Sequence, residues 1–244
     1  AMGHSAGHST TIGDYNDYLG YQSGYSNVHG DYNVGVGRST LYYNAPGDGD
    51  GRNTAIGGFA AYGGAGTNAM TGSTAIGYAA MYYTKGNNNT AVGVGALEGD
   101  STTHTSYSNI AIGTQALKSS TSGYETIAIG AQAGYNVTTA NRNVYVGHKS
   151  GYNVVASAEY NVMIGQEAGY DVSGQRNTFV GGVAGANAKV DITETTYIGY
   201  AAGLNCSGAN NTFIGSSAGI STNAGTGLTA LGFSALRTVT GSYN

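Results

Sequence analysis

A short motif recurs along the whole chain and constrains its fold more than any other feature. Each copy contains a glycine that follows an aliphatic residue and precedes Ala, Ser or Thr by three positions. A repeat of 16 to 20 residues is too short for a helix pair or a propeller blade, so it predicts a solenoid in which each repeat forms one coil. The fourteen glycines that fit the rule, called anchor glycines below, are Gly3, Gly20, Gly37, Gly57, Gly77, Gly93, Gly113, Gly130, Gly147, Gly165, Gly181, Gly199, Gly215 and Gly232.

The composition favours stacked strands over disorder or helix. Charged residues make up 9% of the chain, whereas an average domain has about 25%. Disordered chains that are poor in aliphatic residues usually carry a high net charge, and here it is −4. The single proline also fits parallel ladders, which need every backbone donor. We therefore predict an all-β fold: one single-chain, repetitive, parallel β-solenoid of the β-roll type over residues 1–244, cut from a longer protein at both ends.

The aliphatic residue before each anchor glycine suggests which side chains point inward. Because it is Ile, Val, Leu or Met in every repeat, we expect Ile112, Ile164 and Ile214 to be buried opposite the small residue that follows the anchor glycine. Strand alternation then places the residue two positions before the anchor glycine outside. Exposed bulky stripes usually mark interfaces, and packing against sister chains is favoured over a ligand platform. This predicted inter-chain stripe comprises Tyr145, Met163, Phe179, Tyr197 and Phe213.

An asparagine stands four residues before most anchor glycines. Stacked in a solenoid, these amides can form a ladder that bonds the neighbouring coil, and this interpretation is favoured over sugar binding. The column contains Asn16, Asn33, Asn53, Asn89, Asn109, Asn143, Asn161, Asn177 and Asn211.

Tyrosine recurs five residues after seven anchor glycines, at Tyr25, Tyr42, Tyr62, Tyr82, Tyr135, Tyr152 and Tyr170. Such rings can pack on the turn with a wet hydroxyl, or they can offer amphipathic faces to surface glycans. Three long intervals expand the linkers at residues 42–52, 62–72 and 98–108, and insertions in a solenoid often map to the binding face. We predict a sugar-binding ledge, with slack turns that bind nothing as the alternative. Its residues are Tyr42, Tyr43, Tyr62, Tyr82 and Tyr83.

Several classes of function are disfavoured by what the sequence contains. The nine Lys and Arg residues are scattered, so nucleic acid is not an expected partner. No apolar run approaches the ~20 residues of a membrane span, so we expect no direct membrane insertion. The carboxylates form no recurring pair, and the histidines lack metal-ligand spacing, so we expect neither an enzyme nor a cofactor or metal. Asp48 and Asp50 could hold a cation, but a flexible loop is the favoured interpretation.

Two versions of the repeat resemble known families. Asn53-Thr54-Ala55-Ile56-Gly57-Gly58-Phe59-Ala60 is similar to the head repeats of trimeric autotransporter adhesins. Asn177-Thr178-Phe179-Val180-Gly181-Gly182-Val183-Ala184-Gly185 also resembles repeats of phage tail fibres. The resemblance implies a left-handed β-roll, a side-by-side homotrimer, and attachment to molecules on a host surface.

The expected function follows from this resemblance and from the tyrosines. We expect an extracellular fibre or adhesin segment, on a bacterial surface or a virion, that attaches to host-cell or surface glycans. A structural shaft or filament without its own ligand is the alternative. A functional amyloid is a third possibility, because Asn ladders and Gly-rich repeats also suit cross-β stacking.

Overall fold

The computed structural model describes most of the chain as two compact units, residues 1–124 and 125–244. Within the described residues there is no helix, and the regular structure is parallel β-strand joined by turns. The β-solenoid predicted from the repeat is therefore confirmed. The described residues are 1–44, 51–63, 70–99, 105–154, 158–188, 192–221 and 225–237.

Each repeat from Gly20 onward contributes one three-residue strand that ends directly before its anchor glycine. The first unit contains β1 (Asp17–Leu19), β2 (Val34–Val36), β3 (Thr54–Ile56), β4 (Thr74–Ile76), β5 (Thr90–Val92) and β6 (Ile110–Ile112). The second contains β7 (Ile127–Ile129), β8 (Val144–Val146), β9 (Asn153–Val154), β10 (Val162–Ile164), β11 (Asp171–Val172), β12 (Thr178–Val180), β13 (Thr196–Ile198), β14 (Thr212–Ile214) and β15 (Thr229–Leu231). Strands β9 and β11 are two-residue strands that form a separate small sheet.

The strands pair in parallel and in repeat register. In the first unit Ala55 of β3 pairs with Ala75 of β4, and in the second Phe179 of β12 pairs with Tyr197 of β13. Equivalent positions of successive repeats therefore lie on top of one another. Parallel neighbours are about 4.8 Å apart, so each sequence column becomes a column of side chains at that spacing.

The anchor glycine is required by close approach of the backbone. Gly93 has φ +137°, and a Cβ added there would lie 2.6 Å from the carbonyl oxygen of Gly113 in the next coil. A side chain at this position would therefore be strained by conformation and excluded by contact. This geometry recurs at Gly57 and Gly181, so the glycine column permits the coils to stack at strand spacing.

The structure reverses the predicted inside and outside of each strand. Ile112, Ile164 and Ile214 were expected to be buried, but they are 37 to 38% exposed. The residue two positions before the anchor glycine, called the strand-centre residue below, is the one that points into the coil. Side chains alternate along a strand, so in a three-residue strand an inward centre leaves both flanking residues outside. The uniform aliphatic column reflects the preference of β-branched residues for stacked strands rather than burial.

The inter-chain stripe predicted from the same assignment is also wrong. All five of its side chains are fully buried inside their own chain, so they cannot contact sister chains. They are strand-centre residues that fill the coil interior: Tyr145, Met163, Phe179, Tyr197 and Phe213. The small residue three positions after the anchor glycine was correctly placed inside, as Ser23, Ala96 and Ala202 illustrate.

The asparagine column forms the ladder that the sequence predicted. The Asn161 Nδ2 donates to the carbonyl oxygen of Gly174 at 3.0 Å, and its Oδ1 accepts from the backbone N–H of Asn177 at 3.0 Å. Asn53 makes the equivalent bonds to Met70 and Ser73, at 2.8 and 2.9 Å. Each buried amide thus satisfies a backbone donor of the next coil and a carbonyl at the turn, which an apolar residue could not do.

Candidate ligand-binding surfaces

A stack of aromatic rings runs along one edge of the first unit. Each ring follows a turn residue with positive φ, such as Leu41 at 50° or Met81 at 53°. Because the coils are in register, the rings lie face to face at nearly the strand spacing. Ring centroids are 4.9 Å apart for Tyr25 and Tyr42, 5.1 Å for Tyr42 and Tyr62, and 4.8 Å for Tyr62 and Tyr82.

The remaining ledge tyrosines contact this stack edge-on. Tyr43 meets Tyr42 at 4.6 Å with an interplanar angle of 71°, and Tyr83 meets Tyr82 at 4.6 Å and 78°. The five tyrosines of the predicted ledge therefore form one continuous cluster. The stacked rings cover one another's faces, so the stack presents ring edges and hydroxyls outward. Parts of the three expanded linkers, residues 45–50, 64–69 and 100–104, lie outside the described residues.

The three stacked phenols of the ledge, Tyr42, Tyr62 and Tyr82, resist ionisation. Burial, followed by the neighbouring phenols, raises the pKa of Tyr62 to about 12. The same causes raise the pKa of Tyr42 and of Tyr82. A charged phenolate is disfavoured because the stacked rings exclude water and because adjacent phenolates would repel one another. The hydroxyl groups can thus act as hydrogen-bond donors and acceptors at neutral pH.

Beside the ledge lies a shallow cavity that sequence reasoning missed. Its volume is about 290 Å³, and it is lined by Phe59, Tyr78, Ala79, Tyr82, Tyr83 and Glu98. Phe59 meets Tyr78 at 5.8 Å and 84°, and meets Tyr82 at 6.0 Å and 53°. Phe59 and Tyr78 stand outside the tyrosine column, two and one residues after their anchor glycines, so a search for one column could not reveal them. The sequence feature that could have revealed them is the presence of aromatic residues in corresponding turns of adjacent repeats.

The second unit has a shorter version of the stack. Tyr135, Tyr152 and Tyr170 lie 5.1 Å apart in nearly parallel planes, and the Lys149 ammonium lies 5.7 Å from the Tyr152 ring centroid. Each of these rings stands five residues after its anchor glycine, as the rings of the first unit's stack do. Asn153, unlike Tyr43 and Tyr83, follows its column tyrosine without adding a ring.

On the outer face of its strands, each unit carries a column of exposed aliphatic side chains. In the first unit Ile56 and Ile76 are 40% and 37% exposed. The first strand position beside them is Thr or an aliphatic residue from β2 to β6, so this face has no charged strand residue there. The second unit repeats the pattern from β7 through β15 in its three-residue strands. We call this the Thr–aliphatic face of each unit.

The described residues contain no group of three or more His, Cys, Asp and Glu side chains that could hold a metal ion. Asp48, Asp50 and His104 lie outside the described residues. Within the described part of the chain, no helix is long and apolar enough to cross a membrane. Comparisons with models of protein families, with curated proteins and with solved structures found no match.

Proposed function

We propose that this chain is a segment of an extracellular fibre or adhesin, on a bacterial surface or a virion, that attaches to surface glycans. The observation that carries the proposal is the continuous tyrosine ledge of Tyr42, Tyr43, Tyr62, Tyr82 and Tyr83. Its hydroxyls recur once per coil and can bond successive sugar hydroxyls, while ring edges and the free faces at its margin supply apolar contact. A rigid row of this kind suits a ligand that itself repeats.

Binding sites held on a regular scaffold lose little freedom when a ligand binds, because the rings are already packed against one another. Several weak contacts along one polysaccharide also act together, since binding at one coil raises the effective concentration at the next. The ledge therefore needs no deep pocket to hold a polymer. No catalytic step is part of this proposal.

The test is a glycan array probed with the wild-type chain and with a variant carrying Tyr42→Ser, Tyr62→Ser and Tyr82→Ser. The matched control carries Tyr135→Ser, Tyr152→Ser and Tyr170→Ser, which removes an equally stacked column without edge-on partners. We expect the first variant to lose binding and the control to keep it. Equal binding by all three proteins, with circular dichroism unchanged, would remove the ledge as the attachment site and favour a purely structural shaft.

Self-association of the chain as a homotrimer belongs to the same proposal. The contact surface of the proposed trimer is the Thr–aliphatic face, because the residues of the predicted inter-chain stripe are inside the coil. A contiguous apolar face without charge is typical of an interface, whereas single exposed aliphatic residues are ordinary. The face suits close side-by-side packing, since its side chains are short, branched and evenly spaced.

Molar mass measured by light scattering over a dilution series tests this assembly. Ile164→Asp with Ile198→Asp places two charges on the face of the second unit and should shift the population toward monomer. Gln166→Asp adds one charge at an exposed position outside that column and should leave the mass unchanged. A wild-type chain that is monomeric at all concentrations would refute the trimer.

A further inference from the structure

The cavity beside the ledge has walls that converge rather than stack. Phe59 and Tyr78 are nearly perpendicular at 84°, and Tyr82 and Tyr83 meet at 78°. Ala79 also lines the cavity, and its side chain is too short to fill the space. Its volume of about 290 Å³ is close to the lower end of the ~300–1,000 Å³ range of small-molecule sites. Four aromatic side chains thus border a shallow space that is open to solvent.

The lining offers few hydrogen bonds but attracts positive charge. Apart from tyrosine hydroxyls, its polar side chain is the carboxylate of Glu98. A sugar with many hydroxyl groups needs more donors and acceptors than this lining supplies, whereas a methylated ammonium group needs none. Aromatic faces attract such cations through their quadrupole, and the attraction strengthens when water is excluded.

Nearby contacts agree with this preference. The guanidinium of Arg38 lies 5.3 Å from the centroid of Phe59, so one ring of the cavity makes a cation–π contact within the chain itself. Lys118 pairs with Glu98 at 3.5 Å, but both side chains are about 30% exposed. Such a surface pair is weak and does not fix the carboxylate, which can therefore face a bound cation.

We propose that Phe59, Tyr78, Tyr82, Tyr83 and Glu98 form a cage for a quaternary ammonium group. The ligand class is a small molecule or a surface substituent that ends in trimethylammonium. Tyr82 and Tyr83 belong to both the ledge and the cage. This binding nevertheless does not depend on recognition of glycans, because the cation would also be held by Phe59, Tyr78 and Glu98, which are outside the ledge.

Nuclear magnetic resonance titration with choline tests the cage, with 3,3-dimethylbutan-1-ol as the uncharged probe of the same shape. We expect saturable shifts of the backbone amides of Phe59, Ala79 and Tyr83 with choline and much smaller shifts with the alcohol. The second unit supplies an internal control. There Tyr200 and Ala201 occupy the positions of Tyr78 and Ala79, but Val183 and Leu204 replace Phe59 and Tyr82. The amide of Ala201 should therefore not respond.

Two variants complete the test. Phe59→Val copies the residue that the second unit carries at this turn position, where Val183 has φ 50° against 59° for Phe59, so the backbone can accept it. It should weaken choline binding by about tenfold through loss of one aromatic wall. Glu98→Gln keeps the shape, removes the charge, and should weaken binding about fivefold at low salt. If choline and the alcohol shift the same amides equally, or if neither variant changes the choline titration, the cage is refuted. If Phe59→Val alters the circular dichroism spectrum, the choline titration of the Glu98→Gln variant alone decides whether the cage is refuted.

Discussion

The two units fill the same coil in two different ways. From β2 to β6 the first unit has small strand-centre residues, and most of its coils have a large residue four positions after the anchor glycine, called the turn position here. In the second unit β8, β10, β12, β13 and β14 have large strand-centre residues and glycine at the turn position. In the first unit the strand-centre residues, with the turn-position residue of the same coil in second place, are Gly35 and Leu41, Ala55 and Ala61, Ala75 and Met81, Ala91 and Leu97, and Ala111 and Leu117. In the second unit they are Tyr145 and Gly151, Met163 and Gly169, Phe179 and Gly185, Tyr197 and Gly203, and Phe213 and Gly219.

Contacts inside the coils explain this exchange. A Cβ added to Gly185 would lie 2.6 Å from the ring of Phe179, so a large strand-centre residue excludes any side chain at the turn position. Where the strand centre is Ala91, Leu97 is fully buried in the turn. Interiors are packed as densely as organic crystals, so the space between the strand centre and the turn position has room for one large side chain, which comes from the strand or from the turn.

This exchange between strand centre and turn position is set within each coil and is not a property of a whole unit. Tyr18 in the first unit is followed by Gly24, and a Cβ there would meet the Tyr18 ring. The coils of Ala55 with Ala61 and of Ala128 with Gly134 have a small residue at both positions and depart from the rule, which nothing in the structure explains.

The largest effect is expected when a strand-filled coil loses its ring. Phe213→Ala should lower the free energy of unfolding by about 3–5 kcal/mol, because the interior keeps a cavity that the neighbouring coils cannot close. Urea denaturation followed by circular dichroism measures it. Ile214→Ala on the same strand is the matched control, since Ile214 is 37% exposed and should cost less than half as much. Equal losses for the two variants would overturn the corrected orientation of the strands.

A coil should also convert from one kind of filling to the other. Gly219→Leu alone should lower the free energy of unfolding by about 1–3 kcal/mol, because the new side chain overlaps the Phe213 ring. Combined with Phe213→Ala it should recover much of the loss, and the double-mutant cycle should give a favourable coupling of ~1–3 kcal/mol. Leucine tolerates the required backbone, since Leu97 has φ 49° and Gly219 has φ 66°. Additive losses would mean that the two positions do not share one space.

The periodicity of the sequence predicted the coils, the parallel register and the asparagine ladder, because each depends on one residue type at one position. It could not orient the strand correctly, since Ile at every repeat suits an exposed β-branched column as well as a buried one. The decisive signal was a pairing between columns: Phe213 with Gly219, against Ala91 with Leu97. The tyrosine ledge was likewise predicted from one column and the tyrosines that follow it, whereas the cavity beside it was missed because Phe59 and Tyr78 belong to two other columns.

The asparagine ladder is common to both kinds of coil and should not depend on how they are filled. Asn53→Ala and Asn161→Ala each leave a backbone N–H and a carbonyl without their amide partner. We expect similar losses of about 1–3 kcal/mol in the free energy of unfolding, since the orphaned groups are buried. Urea denaturation of the two variants compares them directly. A loss several times larger in the second unit would show that the ladder and the aromatic core are coupled.

The smallest effects should have opposite signs at two buried tyrosines. The Tyr18 hydroxyl accepts a hydrogen bond from Asn27 Nδ2 at 2.5 Å, whereas the described residues offer the Tyr145 hydroxyl no partner. Tyr18→Phe should therefore cost about 1 kcal/mol, and Tyr145→Phe should stabilise by about 1 kcal/mol, because it removes a desolvated hydroxyl. Phe179 and Phe213 already occupy the strand centre in the second unit, so the ring alone is accepted there.

Alkaline pH gives the Tyr145 prediction a second measurement. Burial raises the pKa of Tyr145 above its ordinary value of 10.0. Below that value the phenol is neutral in both states and contributes nothing to pH dependence. As pH rises above it, the unfolded chain ionises while the folded chain stays neutral, so stability falls. Tyr145→Phe should remove this part of the alkaline loss, and Tyr152→Phe, whose ring lies on the partly exposed stack, should remove less. If both variants gave the wild-type melting temperature at pH 7 and the wild-type decline above pH 10, the Tyr145 hydroxyl would have to be hydrogen-bonded and hydrated in the folded protein.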